Sequence, residues 1–225
     1  MDNYLDILLI TASRYKSVDA PIHEYLEFRG NGVARVVDKL LQDHKNIITL
    51  LALMEKQVQH FVAGEYVDYQ ILSDIMHYFV NQPDVYHHPH EDIIFAALKL
   101  KDINVADLIE EISAEHDLMA KASSTINDEL KLIQGNAIFS RQEIVRQLKD
   151  FIKRYHDHII KEEQGLFALA NSSLDAADWR RVEHEIEHNE DPLFGNTLRD
   201  EYQALYKAIL SEDKESLPAD PRNGA

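Results

Sequence analysis

Two sets of side chains typical of metal ligands recur along this chain with nearly the same spacing. The first set is His44, His87 and Glu91, and the second is His116, His158 and Glu162. The two histidines are 43 residues apart in the first set and 42 in the second, and each set closes with His-x-x-x-Glu. Residues four apart share one face of a helix. The two copies therefore supply four imidazoles and two carboxylates, a donor set suited to a pair of iron ions inside a helical bundle.

Apolar residues follow a helical periodicity, which predicts four long helices and no strand. The predicted helices cover residues 33–62, 68–101, 105–133 and 140–170. Gly64 ends the first helix, and Pro83 and Pro89 are expected to kink the second. Ser140 and Glu143 predict a capping box at the start of the fourth. Because the loops are short, neighbouring helices should be antiparallel, so the predicted fold class is all-α, an up-down-up-down four-helix bundle.

The bundle is predicted to occupy residues 33–171, with three further segments around it. These are an N-terminal extension (1–32), a C-terminal helical extension (172–212) and a flexible tail (213–225). The C-terminal extension is expected to contain two helices, at about 175–189 and 191–212, with a hinge at Asp191-Pro192.

Composition excludes several classes of protein. The absence of cysteine excludes thiolate zinc sites and iron–sulfur clusters. A formal net charge of −17 argues against a nucleic-acid partner, which would require a basic face. The acidic N-terminus does not resemble a signal peptide, and the apolar stretch at 7–10 is too short to cross a membrane. We therefore expect a soluble, cytoplasmic protein without a membrane partner.

Helical geometry divides the histidines by face. Four of them interrupt apolar core stripes: His44, His87, His116 and His158. His60, His77 and His156 point to other faces, whereas His88 and His90 flank Pro89 and their place is left open.

The two glutamates share the buried faces. A buried carboxylate costs several kcal/mol unless a positive group compensates it, and no Lys or Arg occupies these stripes near Glu91 or Glu162. A pair of metal ions would supply that charge. Tyr155, on the face of His158, is a candidate hydrogen-bond donor near the site, or else an aromatic core residue.

Imidazole and carboxylate donors suit iron, with manganese or zinc as substitutes, and do not suit calcium. The duplication predicts one ion at His44 and His87 and another at His116 and His158. Glu91 and Glu162 would each bridge both ions. Each ion would then be short of six ligands, which leaves positions for an oxo or hydroxo bridge, water, or a diatomic ligand such as O2 or NO.

These residues resemble the hemerythrin-like family, the HHE cation-binding domain. The resemblance lies in Leu-Gln-Asp-His44, His87-His-Pro-His-Glu91-Asp with Phe95, Ala-Glu-His116, and His158-Ile-Ile-Lys-Glu162-Glu with Leu166-Phe167. It implies a non-haem di-iron centre in a four-helix bundle. Oxygen-carrying members have a second histidine where this chain has Ala120. The four-His, two-Glu set is more similar to bacterial members implicated in nitrosative stress and iron-centre repair, although those carry a cysteine-containing N-terminal region.

Alternatives remain open at this point. His184-Glu185-Ile-Glu-His188 is a literal H-E-x-x-H, the helical motif of zinc peptidases. A metal-free helical interaction protein would instead use the histidines as polar core residues. Within the di-iron interpretation, binding or sensing of O2, NO or iron competes with redox chemistry on peroxide or NO. A protein partner or a homodimer is compatible with each.

Overall fold

The computed structural model describes residues 34–101, 104–186 and 190–216, and within these ranges the chain forms helices and no strand. The helices are α1 Ala34–Ala63, α2 Tyr69–Asn81, α3 His88–Lys99, α4 Ala106–Gln134, α5 Arg141–Lys161, α6 Ala168–Ser173, α7 Ala176–Glu185 and α8 Gln203–Ser216. The predicted all-α bundle is confirmed. The N-terminal extension and residues 217–225 of the tail lie outside the described residues, and the predicted domain boundaries remain predictions.

Four long arms build the bundle. The first arm is α1, the second is α2 with α3, the third is α4, and the fourth is α5 with α6. Gly64 follows the first arm with φ of 77°, a backbone conformation that favours glycine. The Ser140 hydroxyl accepts a hydrogen bond from the Glu143 amide, but the Glu143 carboxylate accepts from Arg146 and Gln147. Half of the predicted capping box therefore forms.

The second and fourth arms each contain a π-helical turn that the sequence analysis did not predict. One turn, Pro83–His87, joins α2 to α3, and the other, Glu162–Phe167, joins α5 to α6. Pro83 begins the first turn, so the irregularity lies where one kink was expected, and Pro89 lies within the first turn of α3. Both turns adjoin a His-x-x-x-Glu pair, and π-helical turns occur frequently at functional sites.

The C-terminal extension differs from its prediction at several boundaries. Its first helix was expected to reach about residue 189 but ends at Glu185, and α8 continues to Ser216, past the predicted start of the tail at residue 213. The second of its helices was expected to start near Asp191, but a short 3₁₀ turn at Asp200–Tyr202 leads into α8. The Asp191 carboxylate accepts hydrogen bonds from the amides of Leu193 and Phe194, which closes a single local turn. Because these local hydrogen bonds are followed by Gly195, the turn does not continue into a helix.

The interior consists of two apolar clusters with a polar layer between them. Along α1, Leu40 belongs to one cluster and Ile47 to the other, and along α4 the corresponding residues are Ile112 and Met119. The C-terminal extension contributes to both clusters, through Trp179 in the first and residues of α8 in the second. None of the described helices is long and apolar enough to cross a membrane.

Candidate metal centre

The six predicted residues meet in the polar layer. The exposed fractions of their side chains are small: 0% for Glu91 and Glu162, 1% for His44, 3% for His158, 5% for His87 and 8% for His116. Each arm contributes at least one of them, because each arm crosses the layer once. Residues far apart in sequence therefore lie together in a site that excludes bulk water.

The Glu91 carboxylate lies between the two halves of the site, of which the first contains His44 and His87 and the second contains His116 and His158. Its Oε1 is 3.2 Å from His87 Nε2 and 3.7 Å from His44 Nε2. Its Oε2 is 3.5 Å from His116 Nε2, in the other half. One oxygen of this carboxylate therefore faces each predicted pair of imidazoles.

The Glu162 carboxylate has the complementary arrangement. Its Oε1 is 3.0 Å from His158 Nε2 and 3.1 Å from His116 Nε2. Its Oε2 is 3.3 Å from His44 Nε2, in the first half. The imidazole nitrogens converge as well, since the Nε2 atoms of His116 and His158 are 3.0 Å apart.

Several of these inward-facing atoms have no hydrogen-bond partner. They are His44 Nε2, both carboxylate oxygens of Glu91, and Glu162 Oε2. Buried, uncompensated carboxylate oxygens are costly, and they are satisfied in proteins by hydrogen bonds, opposite charges or metal ions. Lone pairs of nitrogen and oxygen that converge without partners fit a cation. The residues present therefore fit a metal centre.

Three further carboxylates, the outer carboxylates Asp43, Glu115 and Glu163, lie behind the imidazoles. Glu163 Oε1 is 3.0 Å from His44 Nδ1, Asp43 Oδ2 is 3.4 Å from His87 Nδ1, and Glu115 Oε2 is 3.0 Å from His158 Nδ1. A protonated Nδ1 that donates to a carboxylate leaves the Nε2 lone pair free to bind a metal. Sequence reasoning missed these residues, although each is adjacent in sequence to a predicted ligand.

Comparison with known families agrees with this geometry. Residues 35–170 match the family described as the hemerythrin HHE cation binding domain. The chain belongs to this family. The matched range includes all six predicted residues and the four arms up to Ala170, so this is a metal-binding domain of the hemerythrin type. Two further comparisons, with curated proteins and with solved structures, find no match.

The imidazoles and carboxylates of the hemerythrin-like site shift one another's pKa values. Burial lowers the pKa of His87, but Glu91 and Asp43 outweigh it and raise that pKa to about 9. Burial also lowers the pKa of His44, but the nearby carboxylates outweigh this effect and raise that pKa well above its usual value. Burial and the Glu162 charge raise the pKa of Glu91, but the imidazoles lower it to about 2. The buried carboxylates therefore favour the protonated form of these imidazoles, and the imidazoles favour the ionised form of Glu91.

Two histidines whose place the sequence left open are buried. His88 and His90 are 6% and 4% exposed. His88 stacks on His116, with ring centroids 3.7 Å apart and planes 11° apart. One nitrogen each of His88, His116 and His158 lies within 4.8 Å of the others, so His88 belongs to a second group able to hold an ion.

The remaining histidines lie away from the hemerythrin-like site. His60 is partly exposed and its Nδ1 is 2.8 Å from a Glu65 oxygen, whereas His77 is exposed and bonds to Asn81. Burial lowers the pKa of His156. None of the three belongs to a group of possible metal ligands among the residues that the structure describes.

The sequence motif H-E-x-x-H has no helical support. Helix α7 ends at Glu185, and Ile186 adopts an extended conformation with ψ of 124°. His184 is therefore one residue from the end of its helix, while His188 lies outside the described residues. The helical geometry on which the zinc-peptidase alternative depends is absent from this part of the described chain.

A cavity of about 30 Å³ borders the site at His87. Its wall includes Asp43 and Tyr78, together with Asp191 from the C-terminal extension. The Tyr78 hydroxyl donates a 2.6 Å hydrogen bond to Asp191 Oδ2, which ties the extension to the second arm. A cavity of this size has room for water. Tyr155, a predicted donor near the site, packs its ring against Phe79 and Phe151, and its role at the site stays a prediction.

Proposed function

We propose that this hemerythrin-like domain holds two iron ions and uses them to bind or react with a small oxidant or diatomic molecule. The first ion would bind His44 and His87, and the second would bind His116 and His158. Glu91 and Glu162 would each contribute one oxygen to each ion. The observation that carries this proposal is the position of the two carboxylates, each with one oxygen toward either imidazole pair.

The donor set favours iron over other common metals. Four imidazoles and two carboxylates are borderline and hard donors, which suit iron and also accept manganese or zinc, whereas calcium prefers oxygen alone. The absence of cysteine from the chain leaves no thiolate donor. Under this assignment each ion has four protein donor atoms, fewer than the six that iron commonly takes, so exogenous molecules have positions to bind.

The protein residues prepare these positions. The apolar clusters on both sides exclude bulk water, which strengthens electrostatic interactions within the layer. The outer carboxylates Asp43, Glu115 and Glu163 orient three imidazoles and compensate positive charge. Bound iron would supply redox chemistry and affinity for O2, NO or peroxide. Under this proposal, such small molecules approach through the cavity beside His87.

The biological role that we infer is sensing of, or defence against, O2, NO or peroxide, or the handling of iron, in the cytoplasm. A metal-free interaction protein is disfavoured because it would leave the inward-facing oxygens of Glu91 and Glu162 Oε2 without hydrogen-bond partners. The net charge of −17 disfavours nucleic acid as a partner.

The test is anaerobic loading of untagged full-length protein with ferrous iron, followed by measurement of iron per chain and of the optical spectrum. We expect two irons per chain and a new ferric absorption after exposure to O2. Reversal of that absorption on removal of O2 would indicate a carrier, and a permanent change would indicate redox chemistry. One zinc or no metal, with no response to O2 or NO, would contradict the proposal.

A further inference from the structure

The second half of the metal centre contains an imidazole that the repeated pattern does not include. His88 is nearly as buried as the six proposed ligands, and one of its nitrogens lies within 4.8 Å of nitrogens of His116 and His158. It precedes Glu91 by three residues, in the first turn of α3. Its position is therefore fixed by the same turn of helix that positions a proposed bridging carboxylate.

The two halves differ at this position. His88 follows His87, and the corresponding residue after His158 is Ile159, a buried apolar residue that is 1% exposed. Each half also has a ring stacked on its first histidine at an interplanar angle of 11°: Phe167 on His44, and His88 on His116. An apolar ring is sufficient for stacking in the first half. In the second half the stacked ring instead carries nitrogen donors.

We propose that His88 is a third imidazole ligand of the ion held by His116 and His158, so that the two ions are inequivalent. This inference rests on the proposed two-metal function. The second ion would then have five protein donor atoms and the first would have four. Nearly parallel rings cannot both contain one ion in their planes, so the His88 ring must turn about its Cβ–Cγ bond when the ion binds. That torsion has a broad energy minimum, which permits the turn.

The asymmetry has a consequence for exogenous molecules. With one position fewer at the second ion, binding of small molecules is directed to the first ion, held by His44 and His87. The cavity of about 30 Å³ lies on that side, since His87 and Asp43 form part of its wall. The proposed coordination of the second ion and the cavity beside the first are thus consistent with one another.

The test uses cobalt(II) as the probe, because its visible absorption responds to coordination. Full-length wild type, His88→Ala and His90→Ala are titrated with Co²⁺ while absorbance and bound metal per chain are recorded. His90 is the matched control, since it is buried on the same helix and belongs to neither group of possible ligands. We expect wild type and His90→Ala to bind two ions. In His88→Ala the first ion should bind normally, and binding of the second should be weakened by more than the about 10- to 100-fold that loss of a supporting outer residue costs.

Addition of free imidazole to His88→Ala separates ligation from packing. Imidazole can enter the space left by the ring, and it should restore the affinity for the second ion and the wild-type spectrum. Two ions bound to His88→Ala with wild-type affinity and spectrum would overturn the inference and leave the proposed function intact. Equal losses in both variants without rescue by imidazole would also overturn it, because they indicate a packing role. Failure of the wild type to bind two ions would instead refute the proposed function.

Discussion

The metal-free protein should lose stability as pH rises from 6.5 to 9, because His87 titrates over this range. Its pKa is about 9 in the folded chain, against about 6.5 in an unfolded chain. A group whose folded pKa is raised stabilises the protein fully below the unfolded value, and this contribution disappears as pH rises through the folded value. The difference corresponds to roughly 3 kcal/mol of the free energy of unfolding. Glu91, with its pKa lowered to about 2, contributes in the opposite sense: its stabilisation is present above about 4.5 and lost as pH falls through about 2.

Thermal unfolding of metal-stripped protein between pH 6 and 9.5 measures this effect. For a chain of this size, roughly 3 kcal/mol corresponds to a decrease in Tm of about 6–12 °C. The variant His87→Gln should show a smaller decrease, whereas the exposed control His77→Gln should behave as wild type. Metal-loaded protein should not show the decrease, since bound imidazole is already neutral. A constant Tm across this range in metal-free wild type, or an equal flattening in both variants, would refute the reasoning.

Other predictions concern the metal, the protons and the C-terminal extension. Glu91→Ala should abolish binding of two ions and His60→Ala should retain it, as elemental analysis would show; retention in both would contradict the assignment. Loading at pH 7 should release protons, because nearby carboxylates outweigh burial and raise the pKa of His44, His87 and His158, whereas a metal-bound imidazole is neutral; calorimetry in two buffers would measure this release, and its absence would count against the reasoning. Glu163→Gln should weaken metal affinity about 10- to 100-fold in competition with a chelator, and unchanged affinity would exclude a supporting role. Tyr78→Phe removes the donor to Asp191 and should lower the free energy of unfolding by roughly 1–3 kcal/mol in urea, whereas no change would show that this bond contributes little.

The helices could be predicted because their apolar stripes are local properties of the sequence. The predicted ends of the first and third arms lie close to those of α1 and α4. The π-helical turns were not predicted, since an inserted residue in a helix depends on how the arm packs rather than on its periodicity. The start near Asp191 was wrong because its side chain bonds to the following amides, and this competes with continuation of a helix.

The sequence by itself determined which six side chains face the interior, because a period of 3.6 residues and the repeated spacing assign each of them to a helix face. The tertiary structure decided which groups meet across the bundle. The pairing of Glu163 with His44, of Asp43 with His87, and of His88 with His116 joins different arms at distances of about 3–4 Å. Such contacts depend on the axial position and rotation of one helix against another. Those quantities come from the packing of both apolar clusters at once, and no local pattern in the chain encodes them.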